Sequence, residues 1–281
     1  MVTWEGGDYP DEPKITPLGW GLVVLRGLVL AAVVFGGLAL LLTLRLIERP
    51  IFGLNRPWTP WITQGVCRAA FVILGMGFST SGQPMKQPGA AVANHGSWLD
   101  IFALNARKRI YFVSKSEVAN WPGIGWLARA TGTVFINRDR REAKAQTDLF
   151  MERIEAGHRL VFFPEGTSTD ASRVIPFKTT LFEAFFRHSA SADLHIQPIT
   201  LAYHAPPGAD PRHYGWWGDM SFGAHLLKVL ATPRQGRVAI TYHPPVRIED
   251  FENRKALARH LETIVRNGLR AAFPERQIGD S

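Results

Sequence analysis

Eighteen consecutive residues, 27–44, carry no charge. A backbone inside so apolar a run must satisfy its own hydrogen bonds, and a helix does this within one segment. At helical rise the run measures about 27 Å, just enough for a bilayer core. It extends back to Leu18, with Arg26 as its one interruption. Glu5, Asp8, Asp11 and Glu12 precede it in a polar stretch, 1–16, read as a mobile tail, and no polar cleavage region follows it. It is therefore not a secretory signal. A second apolar run, 58–78, follows a proline-rich link around Pro50 and Pro57. Trp58 and Trp61 stand where interfacial aromatics stand. Two arrangements are open: a spanning helix, or a membrane-embedded helical pair in one leaflet. Arg26 and Arg68 within the runs weigh against spanning. Arg45, Arg49 and Arg56 predict that the rest of the chain lies on the cytoplasmic side of an inner membrane. A buried core helix of a soluble protein is the bland alternative.

From residue 83 the texture changes. Short apolar runs near 90–94, 110–113, 134–136, 160–163, 196–203 and 237–242 read as strands. Helical patterns fall near 98–106, 125–130, 142–156, 179–188, 222–230 and 251–272. In the last, Leu257, Leu261, Ile264, Val265, Leu269 and Ala272 recur at helical spacing. Such alternation predicts an α/β domain, a layered and largely parallel sheet flanked by helices. The chain divides into a polar tail, 1–16, anchoring helices, 17–80, and an α/β domain, 81–281, which carries the motifs described next.

A net charge of +8 suits nucleic acid, anionic lipid or an acidic carrier protein. Single-strand nucleic-acid binding needs aromatics interleaved with basic residues on an open surface. Here the nine Trp and 17 Phe fall mostly in apolar runs, which favours a membrane and no nucleic acid. The single cysteine, Cys67, permits neither an internal disulfide nor a cysteine cluster for metal, and it lies in an apolar helix as packing.

Within that domain the stretch 91–100 reads AVANHGSWLD. It is the pattern of a buried strand, a tight turn and a helix start, with Ser97 as a plausible N-cap. On one continuous helix, positions five apart point about 140° away from each other. His95 and Asp100 therefore meet only if His95 lies off the helix and folds back over its first turn. A neutral imidazole so held can take the proton of an attacking hydroxyl, while the carboxylate fixes its tautomer. The enzyme then needs no nucleophile of its own, because the substrate supplies the hydroxyl. A core histidine and a solvated aspartate are the ordinary alternative.

Arg138 follows the strand in GTVFINR, where α/β sheets collect ligands, and its planar fork suits a headgroup or phosphate. A solvated basic loop is the alternative there, and Arg140 and Arg141 are left to membrane or carrier electrostatics. Glu165 stands at another strand end in FPEGT, after Pro164 and before Gly166, whose backbone freedom fits a turn. Its carboxylate can accept from an acceptor's hydroxyl or amine, and the Gly166 and Thr167 amides can face an oxyanion. The glycines of segment 112–132 do not make a dinucleotide fingerprint. That segment reads equally as the lining of an acyl-chain tunnel or as a plain core helix.

These blocks together resemble the glycerolipid (lysophospholipid) acyltransferase family, of the 1-acyl-sn-glycerol-3-phosphate acyltransferase type. NHGSWLD is similar to the family's NHxSxxD block, GTVFINR to its second and FPEGT to its third, and 195–201 with Pro198 to a weaker fourth. The resemblance covers roughly 83–203. It implies acyl transfer from an acyl thioester, on CoA or acyl carrier protein, to a lysolipid hydroxyl at a membrane. It implies His95 as general base and Asp100 as its partner, with no metal and no redox cofactor. Asn94 and Ser97 enter as further candidates of the first block. The family's third block commonly runs FPEGTRS, and this chain has Ser168 at the arginine position. Losing a charge-assisted phosphate contact costs about 1.5–3 kcal/mol unless Arg138 or Arg173 compensates. FPEGTST followed by Asp170 resembles the lyso-ornithine-lipid branch, whose acceptors carry an amino-acid headgroup, and Asp170 and Glu165 would suit its ammonium. A lyso-aminolipid acceptor is thus expected ahead of 1-acylglycerol-3-phosphate. A serine hydrolase is disfavoured because no G-x-S-x-G elbow occurs. A non-enzymatic lipid-binding protein would leave His95, Asp100 and Glu165 at successive strand ends unexplained.

Overall fold

The computed structural model describes residues 4–6, 8–10, 14–137, 143–186 and 193–275. Arg138, Arg140 and Arg141 lie outside them. Among the described residues eight strands share one sheet: β1 (Gly77–Ser81), β2 (Gly89–Ala93), β3 (Tyr111–Lys115), β4 (Val134–Ile136), β5 (Leu160–Phe162), β6 (His195–His204), β7 (Arg237–Tyr242) and β8 (Val246–Arg247). Their order is β1-β7-β6-β2-β5-β3-β4, with β8 on β6 off that path. The central run from β6 to β4 is parallel, while β7 and β8 pair antiparallel to β6. The expected layered and largely parallel α/β sheet is present.

Strand alternation builds two cores, one on each face. Ala90, Val92, Leu160, Phe162 and Ile196 point to one side. There they meet α5 (Ala143–Glu155), α6 (Phe182–Phe186) and α8 (Arg254–Ala272) through Phe150, Phe182, Phe185, Leu261 and Val265. Ala91, Ala93, Val161, Ile199 and Leu201 point to the other. That face is covered by α1 (Pro17–Phe52), α2 (Thr59–Leu74), α3 (Leu99–Arg107) and α7 (Phe222–Ala231). α4 (Ile124–Thr131) is not the core helix that the sequence allowed. Gly125 is its one buried residue, and Trp126 is 66% exposed.

α1 runs through Pro50 to Phe52, so the link placed at that proline is helix instead. Its 36 residues make about 54 Å, longer than the roughly 30 Å bilayer core. Arg26 is no lone charge in an apolar run. Its Nη1 donates to the carbonyls of Leu230 and Thr232 at the end of α7. Glu48, fully buried, accepts from the Trp58 and Thr59 amides and the Thr59 hydroxyl, and so caps α2 from α1. The outer side of α1 exposes Leu18, Val24, Leu25, Leu28, Leu46 and Ile51. An apolar strip of this extent marks membrane association.

β1 begins the sheet at Gly77, ahead of the boundary expected at 81. Described residues of the first ten also lie on the domain, contrary to a mobile tail. Trp4 and Tyr9 both contact Trp217.

Candidate active site

β2 and β5 run side by side in parallel, so their C-terminal ends deliver Asn94 and Phe163 to one edge of the sheet. The chain after Asn94 turns sharply before α3. His95 lies in that turn, off the helix, and its Nδ1 is 2.7 Å from Asp100 Oδ2. This is the fold-back that a five-residue spacing required. Asp100 is fully buried, and the same Oδ2 accepts from the Gly96 and Ser97 amides at 3.0 and 3.1 Å. Its Oδ1 accepts from the Tyr203 hydroxyl at 2.6 Å. Four donors thus fix one carboxylate. Burial and the adjacent Asp100 charge hold the Tyr203 hydroxyl well above its usual range, so it stays a neutral donor.

The imidazole is held from behind as well. It stacks on Phe163 with ring centroids 4.1 Å apart and planes at 12°. The His95 carbonyl accepts from the Thr169 amide at 2.8 Å, and its amide donates to Glu165 Oε1 at 2.7 Å. The His95 side chain remains 20% exposed. One edge is therefore anchored on Asp100 while the ring reaches solvent.

Gly96 is required by close approach. A Cβ there would lie 2.6 Å from Ala171 Cβ, and the Gly96 carbonyl accepts from the Trp216 amide. The loops 163–171 and 214–217 close on the histidine turn at this point.

Ser97 does what its position suggested: its Oγ accepts from the Leu99 amide at 3.3 Å, at the helix start, where Trp98 itself makes no side-chain cap bond. Several expected roles change. Asn94 faces away from the histidine and is tied to β6. Its side chain donates to the Leu201 carbonyl and accepts from the Leu201 amide. Glu165 is fully buried, and its oxygens take the amides of His95 and Ile175. That carboxyl therefore braces the histidine turn, with its two oxygens on backbone amides. Burial pushes it up to about 8, against the two amides, which lower it.

Gly166 takes a positive φ of 71°, as its position in the turn suggested. Its amide donates to the Phe163 carbonyl and so does not face an oxyanion. Thr167 Oγ1 accepts from the Trp4 amide at 3.4 Å, and Ser168 follows, half-buried. Asp170 is buried and bound side-on to Arg173 through Nε and Nη2, so it is not an open site for an ammonium. Sequence reasoning missed Tyr203, Phe163 and Thr169 as parts of the site. Tyr203 shares its side of β6 with Ile199 and Leu201, which face α3, and that alternation was its available signal.

A family model described as Acyltransferase matches residues 79–202, a span that holds His95, Asp100, Phe163, Glu165 and Thr169 and stops one residue short of Tyr203. The chain is 56% identical to a lyso-ornithine lipid O-acyltransferase of Rhodobacter capsulatus, over 95% of this chain and 96% of that one. It is 31% identical to a 1-acyl-sn-glycerol-3-phosphate acyltransferase of Neisseria gonorrhoeae, over 50% of this chain and 55% of the other. The fold matches the crystal structure of the 1-acyl-sn-glycerophosphate (LPA) acyltransferase from Thermotoga maritima, with a TM-score of 0.61 at 20% identity, over 92% and 97% of the two chains. With an identity this high across nearly the whole of a curated relative, the chain belongs to the acyltransferase family and is an acyltransferase.

Proposed function

We propose that this enzyme moves a fatty acyl group from an acyl thioester, on CoA or acyl carrier protein, to the hydroxyl of a lysolipid of the lyso-ornithine type. The observation that carries the chemistry is the His95–Asp100 contact at 2.7 Å, with Asp100 fixed by three further donors. Held on Asp100 through Nδ1–H, the imidazole keeps Nε2 as the basic atom. Nε2 takes the acceptor's proton as its oxygen attacks the thioester carbonyl. The imidazolium that forms is stabilised by Asp100 and returns the proton to the leaving thiolate. The products are a diacyl lipid and the free thiol of the carrier. The scheme uses no metal and no redox cofactor, so a chelator leaves activity intact.

The acceptor assignment is supported by Ser168 in place of the family's arginine and by the 56% identity to a lyso-ornithine lipid enzyme. The alternative acceptor, 1-acylglycerol-3-phosphate, has its support in the more distant relative. The exposed strip of α1 and the arginines beyond residue 44 support a cytoplasmic-leaflet location at the inner membrane.

The test uses purified, detergent-solubilised enzyme with acyl-CoA and acyl carrier protein donors and both acceptors in parallel. The expected result is preferential acylation of the amino-acid lysolipid, with His95→Ala lacking transfer while still binding vesicles. Preference for the phosphate acceptor would reverse the acceptor assignment. Full transfer by His95→Ala would remove the general-base role.

A further inference from the structure

His95 stands at the C-terminal ends of the parallel strands, and their N-terminal ends carry a different chemistry. Lys86 precedes β2, Arg107, Lys108 and Arg109 join α3 to β3, and Arg159 precedes β5. Parallel pairing of β2, β5 and β3 brings these three entries to one sheet edge. Lys108 and Arg159 line one cleft with Met85, whose carbonyl accepts from Arg159 Nη1. Arg68 reaches the same place from α2, its Nε donating to the Ala106 carbonyl at 2.8 Å. Among the described residues no carboxylate lies within ion-pairing distance of any of these cations. Burial and the charges of Arg159, Arg109, Arg107 and Lys86 hold the Lys108 ammonium below its usual range. The C-terminal carbonyls of α3 account for Arg68 and Arg107. They do not account for Lys86 and Arg109, which extend into solvent from other segments. Like charges gathered in this way repel one another, and an anion laid across them removes that cost.

The cluster is continuous with the apolar surface of the helical pair. The Arg109 guanidinium lies 4.1 Å over the Trp61 ring, and Trp61 is 56% exposed. Trp58, Trp61, Arg68 and Val72 follow one another along the outer side of α2, all exposed. Trp58 meets Phe52 edge-on at 5.2 Å, and Phe52 ends the exposed strip of α1. Aromatic rings beside cations, at the margin of an apolar strip, suit the boundary between a membrane and water.

We infer that this sheet edge is a docking surface for anionic lipid headgroups, with Lys86, Lys108 and Arg109 meeting the phosphates while Trp58 and Trp61 enter the interface. The inference adds a lipid charge preference to membrane association, and it holds whichever lysolipid is acylated. An acidic carrier protein fits the edge less well, because His95, where its thioester must arrive, is at the other ends of the same strands.

The test is capture of the full-length enzyme, diluted from detergent, by vesicles of phosphatidylcholine alone and of phosphatidylcholine mixed with phosphatidylglycerol. Wild type is expected to prefer the anionic vesicles at low salt, and high salt erases the preference. Lys108→Gln with Arg109→Gln lowers that preference about 25-fold, about fivefold for each charge. Its kcat in detergent stays at the wild-type value, and its melting temperature does not fall. Lys86→Gln with Arg109→Gln, two exposed positions, repeats the loss. Lys255→Gln with Arg259→Gln removes the same charge from α8 on the opposite sheet face and leaves the preference intact. Equal capture of both vesicles by wild type, an unaltered preference in either edge variant, or an equal loss in the α8 variant overturns the inference. A Lys108→Gln/Arg109→Gln enzyme that keeps its lipid preference and shows a raised KM for the acyl carrier protein donor overturns it too, and assigns the edge to an acidic protein.

Discussion

Asp100 shows how one buried charge is made tolerable and useful together. A carboxylate without water needs several donors, and here they come from the imidazole, two amides and a phenol. Tyr203→Phe removes one donor and leaves the packing volume almost unchanged. Hydrogen bonds to charged groups are worth about 1.5–3 kcal/mol, so kcat is expected to fall about tenfold or more. The acceptor KM stays near wild type, and steady-state kinetics on the folded variant check this. A variant with wild-type kcat would reduce Tyr203 to packing. The His95–Asp100 pair was legible in the sequence because both members lie within one turn and the next helical turn. Tyr203 was not, because 103 residues separate it from its partner. Asp170 was misread for a similar reason: its charge is answered by Arg173 three residues on, and the sequence does not show which way either side chain turns.

At the scale of elements, the helical pair is locked by a polar contact inside an apolar layer. Glu48 supplies α2 with a cap from another helix, and Arg45 closes the group at 3.0 Å. Glu48→Ala strips acceptors from two amides and a hydroxyl. A lost cap costs about 1–2 kcal/mol, and buried unpaired donors add to it. The expected outcome is a melting temperature lowered by several degrees and faster hydrogen exchange in the first turn of α2, with kcat of the folded enzyme unchanged. Unaltered exchange at α2 would show that apolar packing alone holds the pair. Most strands and helices of the domain were legible, because their apolar alternation is driven by burial on both sheet faces. β1 was not: all five of its residues are exposed, so no burial pattern marks it. The proline at 50 misled in the other direction, since α1 absorbs it within its last turn.

For the molecule as a whole, buried titratable groups of opposite sense set a pH of maximum stability. His158 and His213 are held down to about 4 and His225 to about 3, chiefly by burial. Each is neutral when folded, while its unfolded counterpart takes a proton below 6.5. Their contribution is complete above 6.5 and is lost as pH falls toward the folded values. Glu165 runs the other way. Raised from 4.5 to about 8, it is protonated when folded at neutral pH, and its contribution is complete below 4.5 and lost as pH rises to 8. Between 4.5 and 6.5 these histidines, with His243 also lowered by burial, outweigh one carboxyl, so stability climbs with pH. From 6.5 to 8 the carboxyl acts alone, so stability declines on a shallower slope. The lowered carboxyl of Asp210 comes into play only near and below 3.8. Thermal melts of the solubilised enzyme between pH 4 and 9 should therefore peak near 6.5, with the acid limb steeper than the alkaline one. His225→Gln should flatten the acid limb alone, and Glu165→Gln the alkaline limb alone. His225 lies on α7, His158 packs on Tyr111 and His213 on Tyr214, while Glu165 braces the histidine turn, so the two limbs report different parts of the molecule. A peak displaced above pH 8, or an acid limb indifferent to His225→Gln, would mean that these groups reach water in the folded enzyme.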